Sequence, residues 1–105
     1  MSNTNIRWTR TGQIRNSRVP EAIGWSKEIS GWISKKYNVT VETWLDTTGT
    51  LNTIRWTVDY PDLSTWDKTM TAVLADSEYW QFVANAMKNE LFIDGVGTDT
   101  ISRKV

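Results

Sequence analysis

From Ile6 to Ile14 the residues alternate, with Ile6, Trp8, Arg10, Gly12 and Ile14 on one side and Arg7, Thr9, Thr11 and Gln13 on the other. That period of two predicts a strand with one face turned to a core. After the polar break Arg15-Asn16-Ser17-Arg18 the period changes to that of a helix, with Pro20 suited to the first turn and Glu21 to its positive end. Ala22, Ile29 and Ile33 line up at 100° per residue, flanked by Trp25 and Trp32, as a sheet-covering helix requires. Gly24 and Gly31 fall almost opposite this stripe, where a partner element has room for close approach. Lys35 and Lys36 suit the negative end of the helix, and Asn38 closes it.

Two further strands are predicted at Val39–Asp46 and Leu51–Tyr60, joined by the turn Thr47-Thr48-Gly49-Thr50. With Thr48 and Gly49 as the loop, Thr43 faces Ile54, Val41 faces Trp56 and Val39 faces Val58 on one side of the hairpin. Glu42 then pairs with Arg55, and Trp44 with Thr53, on the other. After Tyr60-Pro61-Asp62, Ser64 and Asp67 have the spacing of a capping box, ahead of the stripe Leu63, Trp66, Met70, Val73 and Leu74. Asp76-Ser77 predicts a break and a new N-cap. The next helix, to about Glu90, carries Trp80, Val83, Ala84, Met87 and Leu91 on one face, with Tyr79, Phe82 and Ala86 off it. The off-stripe Phe82 suggests a second contact surface, most economically between subunits. Asp94-Gly95 is a turn signal, and Thr98–Val105 is predicted as the closing strand. The order βαββαβ predicts an α+β, ferredoxin-like antiparallel sheet with its helices on one face.

Composition narrows the chemistry. At 105 residues, one domain over 1–105 is expected. Twelve basic and twelve acidic residues cancel, so neither nucleic acid nor an anionic membrane is an expected partner, and self-association meets little repulsion. There is no cysteine and no histidine. Disulfides, the usual zinc sites, His-ligated haem and Ser-His-Asp or Cys-His catalysis are all excluded together. No metal and no cofactor are expected. The polar opening Met1-Ser2-Asn3-Thr4-Asn5 has no apolar leader, and no apolar run reaches the roughly 20 residues of a membrane span. A cytoplasmic protein is expected. Asp94 to Asp99 superficially suggests a calcium loop but lacks the ligand spacing and terminal glutamate of an EF-hand, and reads as a turn.

Two passages carry a resemblance. Ile6-Arg7-Trp8-Thr9-Arg10 resembles the opening strand of small dimeric barrel proteins of the antibiotic-biosynthesis-monooxygenase type. Asp62-Leu63-Ser64, then Leu74-Ala75-Asp76-Ser77-Glu78-Tyr79-Trp80, then Leu91-Phe92 and a polar closing strand, are similar to the second half of NIPSNAP-like proteins. The resemblance spans nearly the whole chain and implies a dimeric α/β barrel in which two sheets pack face to face. The polar face that bears Arg7, Thr9, Glu42, Trp44, Thr53 and Arg55 then forms a layer between the sheets; an antiparallel sheet with that face in water is the competing arrangement. Members of the superfamily include haem binders with a proximal histidine, from which this chain departs, cofactor-independent oxygenases, isomerases and cyclases, and many proteins without assigned activity. None of the family's catalytic residues matches a position here.

Glu42, Arg55 and Trp44 form the candidate polar cluster. Arg55 is suited to hold an anionic oxygen, Glu42 to move a proton and Trp44 to stack on a ligand. An ordinary cross-strand ion pair accounts for the same two charges. Seven tryptophans in 105 residues raise a parallel choice. Trp8, Trp56 and Trp66, with the other helix-facing rings, either wall a pocket for a small apolar organic ligand or fill the core. Two functions follow as expectations. One is a small-molecule-binding homodimer with oxygenase, isomerase or cyclase chemistry; the other is a non-catalytic interaction domain whose aromatics build only core and interface.

Overall fold

The structure is a computed structural model describing residues 4–105; the start of the polar opening, Met1-Ser2-Asn3, lies outside the described residues. Its elements are β1 (Ile6–Gln13), α1 (Val19–Tyr37), β2 (Glu42–Leu45), β3 (Thr53–Tyr60), α2 (Leu63–Leu74), α3 (Ser77–Lys88) and β4 (Thr98–Arg103). The strands form one sheet in the order β2-β3-β1-β4, antiparallel at every pairing. This is the ferredoxin-like split arrangement that the element order predicts. β1 and β3 lie at the centre and send Ile6, Trp8, Ile54, Val58 and Tyr60 into the core, joined by Ile14 just past the end of β1. Asn38 ends α1 in the left-handed conformation (φ 53°), as a C-terminal cap should.

The hairpin register differs from the expectation. Glu42 stands opposite Thr57, Thr43 opposite Trp56 and Trp44 opposite Arg55, a slip of two residues. A two-residue slip leaves every side chain on its own face, so the alternation of apolar and polar residues is equally satisfied by both registers. The difference lies in the loop. The Asp46 N–H donates to the Thr53 carbonyl at 2.9 Å, which leaves residues 47–52 outside the ladder, with Gly49 at φ 87° and Asn52 at φ 63°. β2 also begins later than Val39, because the Val41 N–H is taken by Ser34 Oγ at 3.0 Å instead of by a strand.

Two helix starts and one helix face are also informative. α2 is capped by Asp62, not Ser64: the Asp62 carboxylate accepts from the Thr65 N–H at 2.7 Å and from the Thr65 hydroxyl at 2.8 Å. Asp76 caps α3 as expected, accepting from the Glu78 N–H at 3.0 Å. Most of the expected apolar face of α3 is turned outward. Trp80, Ala84 and Met87 are exposed and Val83 is half-buried, whereas Ala86, off that face, is buried and Tyr79 and Phe82 are half-buried. The cause is α1, whose Trp25 indole N–H donates to the Phe82 carbonyl at 2.9 Å and whose Trp32 ring lies 5.4 Å from that of Phe82. Leu91 is buried, but it lies beyond the end of α3, so its place on the helical wheel does not orient the helix.

The core divides in two. Ile14, Ala22, Ile54, Ala86 and Leu91 form one cluster; Ile6, Trp8, Val58 and Tyr60 form the other, with Trp66 and Met70 against it. Where these clusters meet, the helix-facing side of the sheet is incompletely filled.

Candidate functional site

Arg10 is the one charged side chain in the helix-facing row of β1, and the neighbouring edge strand supplies its partner. Asp99 sits opposite Arg10 in the β1–β4 register, and the two form a bidentate pair at 2.7 and 2.8 Å. Arg10 Nη1 also donates to the Tyr79 hydroxyl of α3 at 3.3 Å, and the guanidinium lies 5.1 Å over the Trp8 ring. The hydrogen bonds from Arg10 hold the Asp99 carboxyl below its ordinary range, and Asp99 in turn raises the guanidinium further. The buried Trp8 indole N–H bears on the same carboxylate but falls short of hydrogen-bond geometry. Because the Tyr79 oxygen accepts from Arg10, its own O–H remains available to a ligand.

This polar cluster stands at the neck between two cavities. The outer one, about 550 Å³, opens between β1, β4 and the end of α3. The inner one, about 90 Å³, lies between sheet and helices among Trp8, Ile29, Val58, Tyr60 and Met70. Arg10, Trp25 and Trp56 line both. Trp25, Trp56 and Phe92 meet edge to face, with ring centroids 5.3 to 6.3 Å apart. Gly12 lies against this wall: a Cβ built there would meet the six-membered ring of Trp56 at 3.4 Å, in ordinary van der Waals contact, so the ring now faces bare backbone. The Trp56 indole N–H is buried without a hydrogen-bond partner.

The structure divides the residues singled out from sequence. Trp8 and Trp56 line the inner cavity. Trp66 packs against the second core cluster, its buried N–H without a partner, and lies off the cavity walls. Glu42, Arg55 and Trp44 are on the opposite face of the sheet. There Arg55 is held by Asp46 at 3.0 Å and not by Glu42, and Trp44 donates to Thr57 Oγ1 at 3.1 Å. The register slip explains the separation, since Arg55 now stands two positions along from its expected partner. Arg10, Tyr79 and Asp99 were not singled out as a site. One signal for them was in the pattern: a charge in an otherwise apolar row requires a partner. Among the described residues no group of three or more acidic side chains is placed to hold a metal ion, and no helix is long and apolar enough to cross a membrane.

No family profile matches the sequence, and no curated protein does. Solved structures do match in shape. An uncharacterized NIPSNAP domain protein from Burkholderia xenovorans superposes with a TM-score of 0.79 at 19% identity, over 95% of this chain and 94% of that one. A NIPSNAP family protein of unknown function from Agrobacterium tumefaciens gives 0.79 at 16% identity, over 100% and 92%. A protein provisionally assigned as an antibiotic biosynthesis monooxygenase, from Deinococcus radiodurans, gives 0.72 at 11% identity, over 95% and 92%. The chain thus has the ferredoxin-like α+β fold of NIPSNAP and antibiotic-biosynthesis-monooxygenase proteins. At these identities the likeness is one of fold.

Proposed function

We propose that this protein binds a small, largely apolar organic compound in the cleft between helices and sheet, and that it does so as a cytoplasmic homodimer. The observation that carries the reading is the placement of Arg10, with Asp99 and Tyr79, at the neck joining two tryptophan-walled cavities. Ligand pockets combine apolar walls with a few convergent polar groups and commonly measure about 300–1,000 Å³. The inner cavity is too small for a whole ligand of that kind, so the outer cavity takes its body and the inner one a protruding edge. If the ligand is turned over, the Tyr79 hydroxyl, whose oxygen already accepts from Arg10, donates to negative charge developing on an oxygen at the neck, without a metal or a bound cofactor. Oxygenase, isomerase or cyclase chemistry through an enolate is compatible with that. In the dimer the polar sheet face with Glu42, Trp44 and Arg55 packs toward the partner, a role that suits its exposed Trp44.

A thermal-shift screen of the purified protein against small aromatic, polyketide-like and lipid-like compounds tests this reading. A ligand at about 100 times its dissociation constant adds about 2.7 kcal/mol, a shift of many degrees in a domain this small. A hit whose effect is lost in Trp56→Ala but kept in Trp44→Ala supports the cleft; the reverse pattern moves the site to the open sheet face. The competing reading is a non-catalytic interaction domain, favoured by the outward apolar row Leu74, Trp80 and Met87. Silence across the whole panel selects it.

A further inference from the structure

Most of the arginines in this chain have a carboxylate. Arg7 holds Asp59, Arg10 holds Asp99, Arg18 holds Glu21 and Arg55 holds Asp46. Arg103 has none among the described residues, but it lies on the exposed strand β4, open to solvent. Arg15 is the exception that burial makes significant. It follows β1 directly and is half-buried, and its backbone N–H is fixed to the Leu91 carbonyl at 3.0 Å. Its Nε is buried without any hydrogen-bond partner, and its side chain has no ion pair among the described residues. A half-buried arginine whose Nε is dry and unpartnered, and whose charge has no carboxylate beside it, is unfavourable unless something else supplies one. Arg15 lines the outer cavity, together with Trp25, Trp56 and Phe92. Arg10 and Asp99 also line it but are paired with each other, and Glu90 and Asp94 line it too but are exposed to water.

We infer that the outer cavity recognises a small aromatic carboxylate, whose ring meets the Trp25–Trp56–Phe92 wall and whose carboxylate pairs with the Arg15 guanidinium. This rests on the cleft reading above and adds the charge of the ligand to it. The planar fork of an arginine matches two carboxylate oxygens, and a charge-assisted pair in a partly dry site is stronger than its neutral counterpart. The inference therefore separates an acid from its uncharged amide.

The probes are 1-naphthoate and 1-naphthamide, which share ring and shape and differ in charge, titrated into the full chain by calorimetry. Naphthoate is expected to bind at least tenfold more tightly than naphthamide. In Arg15→Gln its affinity falls to that of the amide, while amide binding stays unchanged. Arg103→Gln, which removes an equal charge elsewhere, leaves both affinities as they were. Circular dichroism and the melting temperature verify that Arg15→Gln folds; Arg15→Lys, which keeps the charge without the fork, restores part of the preference in an independent protein. Equal binding of the two probes to the natural protein, or naphthoate binding indifferent to Arg15→Gln, overturns the role of Arg15 and leaves the cleft reading standing. Binding of neither probe overturns the aromatic-carboxylate inference, and the wider compound panel then decides the cleft reading on its own.

Discussion

The Tyr37 hydroxyl donates to Asp76 Oδ2, joining the end of α1 to the break between α2 and α3. Lys36 reaches the same oxygen at 2.6 Å, and the other carboxylate oxygen caps α3 through the Glu78 N–H. One carboxylate therefore fixes two helix ends at once. Asp76→Ala is expected to lower the melting temperature by several degrees, and Asp76→Asn, which can still cap, by less. Tyr37→Phe should cost least of the three. Urea unfolding of the set gives the order directly.

A second tie is the bond from the Trp25 indole to the Phe82 carbonyl. Trp25→Phe keeps an aromatic ring but removes this donor and some of the packing. A loss of about 1–2 kcal/mol is expected, from one hydrogen bond and a partly filled space. An unchanged urea midpoint would mean that α1 and α3 do not depend on this contact.

Stability should be flat from about pH 5 to about pH 9. No histidine titrates in that interval. The hydrogen bonds from Arg10 depress Asp99 and those from Arg7 depress Asp59. Groups depressed in the folded state stabilise above their ordinary value near 3.8, and that contribution is lost as pH falls through their folded values. Tyr60 is raised, chiefly by burial, and Tyr37 by its bond to Asp76. Their contribution is present below the ordinary tyrosine value of 10 and disappears as pH rises through the folded ones. Melting temperatures measured at intervals of one pH unit would show a plateau with two shoulders. A slope near pH 6.5 would contradict the assignment.

A double-mutant cycle decides the hairpin register in solution. Coupling is expected between Arg55 and Asp46, and none between Arg55 and Glu42. The opposite result would restore the two-residue turn.

Gly12 governs the depth of the cleft. Gly12→Ala places a methyl group in van der Waals contact with Trp56 and is expected to fold. Gly12→Val has to displace the ring, so it should shift tryptophan emission and weaken any cleft ligand. Emission spectra and ligand titration of the two variants verify the graded effect.

The elements were legible because their periods were: alternation at β1 and β3, a stripe at α1, and an Asp–Ser break between α2 and α3. What alternation cannot resolve is a slip of two, and Glu42 was thereby assigned a partner that belongs to Asp46. Helical wheels failed at α3 for a different reason. Its inward face is chosen by a hydrogen bond and a ring contact from α1, both long-range, and Trp80, Ala84 and Met87 of the expected row stay exposed. The site was half legible. Trp8 and Trp56 follow from the strand faces, but the meeting of Arg10 with Asp99 depends on which edge β4 joins, and nothing near either residue specifies that.

Asp99 stands on the outermost strand, whose residues are all exposed and which has β1 as its single neighbour. Edge strands of this kind open at low free energy, ahead of the rest of the fold. Each such opening also dismantles the Arg10–Asp99 pair, so local fraying and loss of the binding neck are one event. A molecule that engages the neck then acts as a splint on β4, and slowed amide exchange along Thr98–Arg103 would register its presence at a distance from the molecule itself.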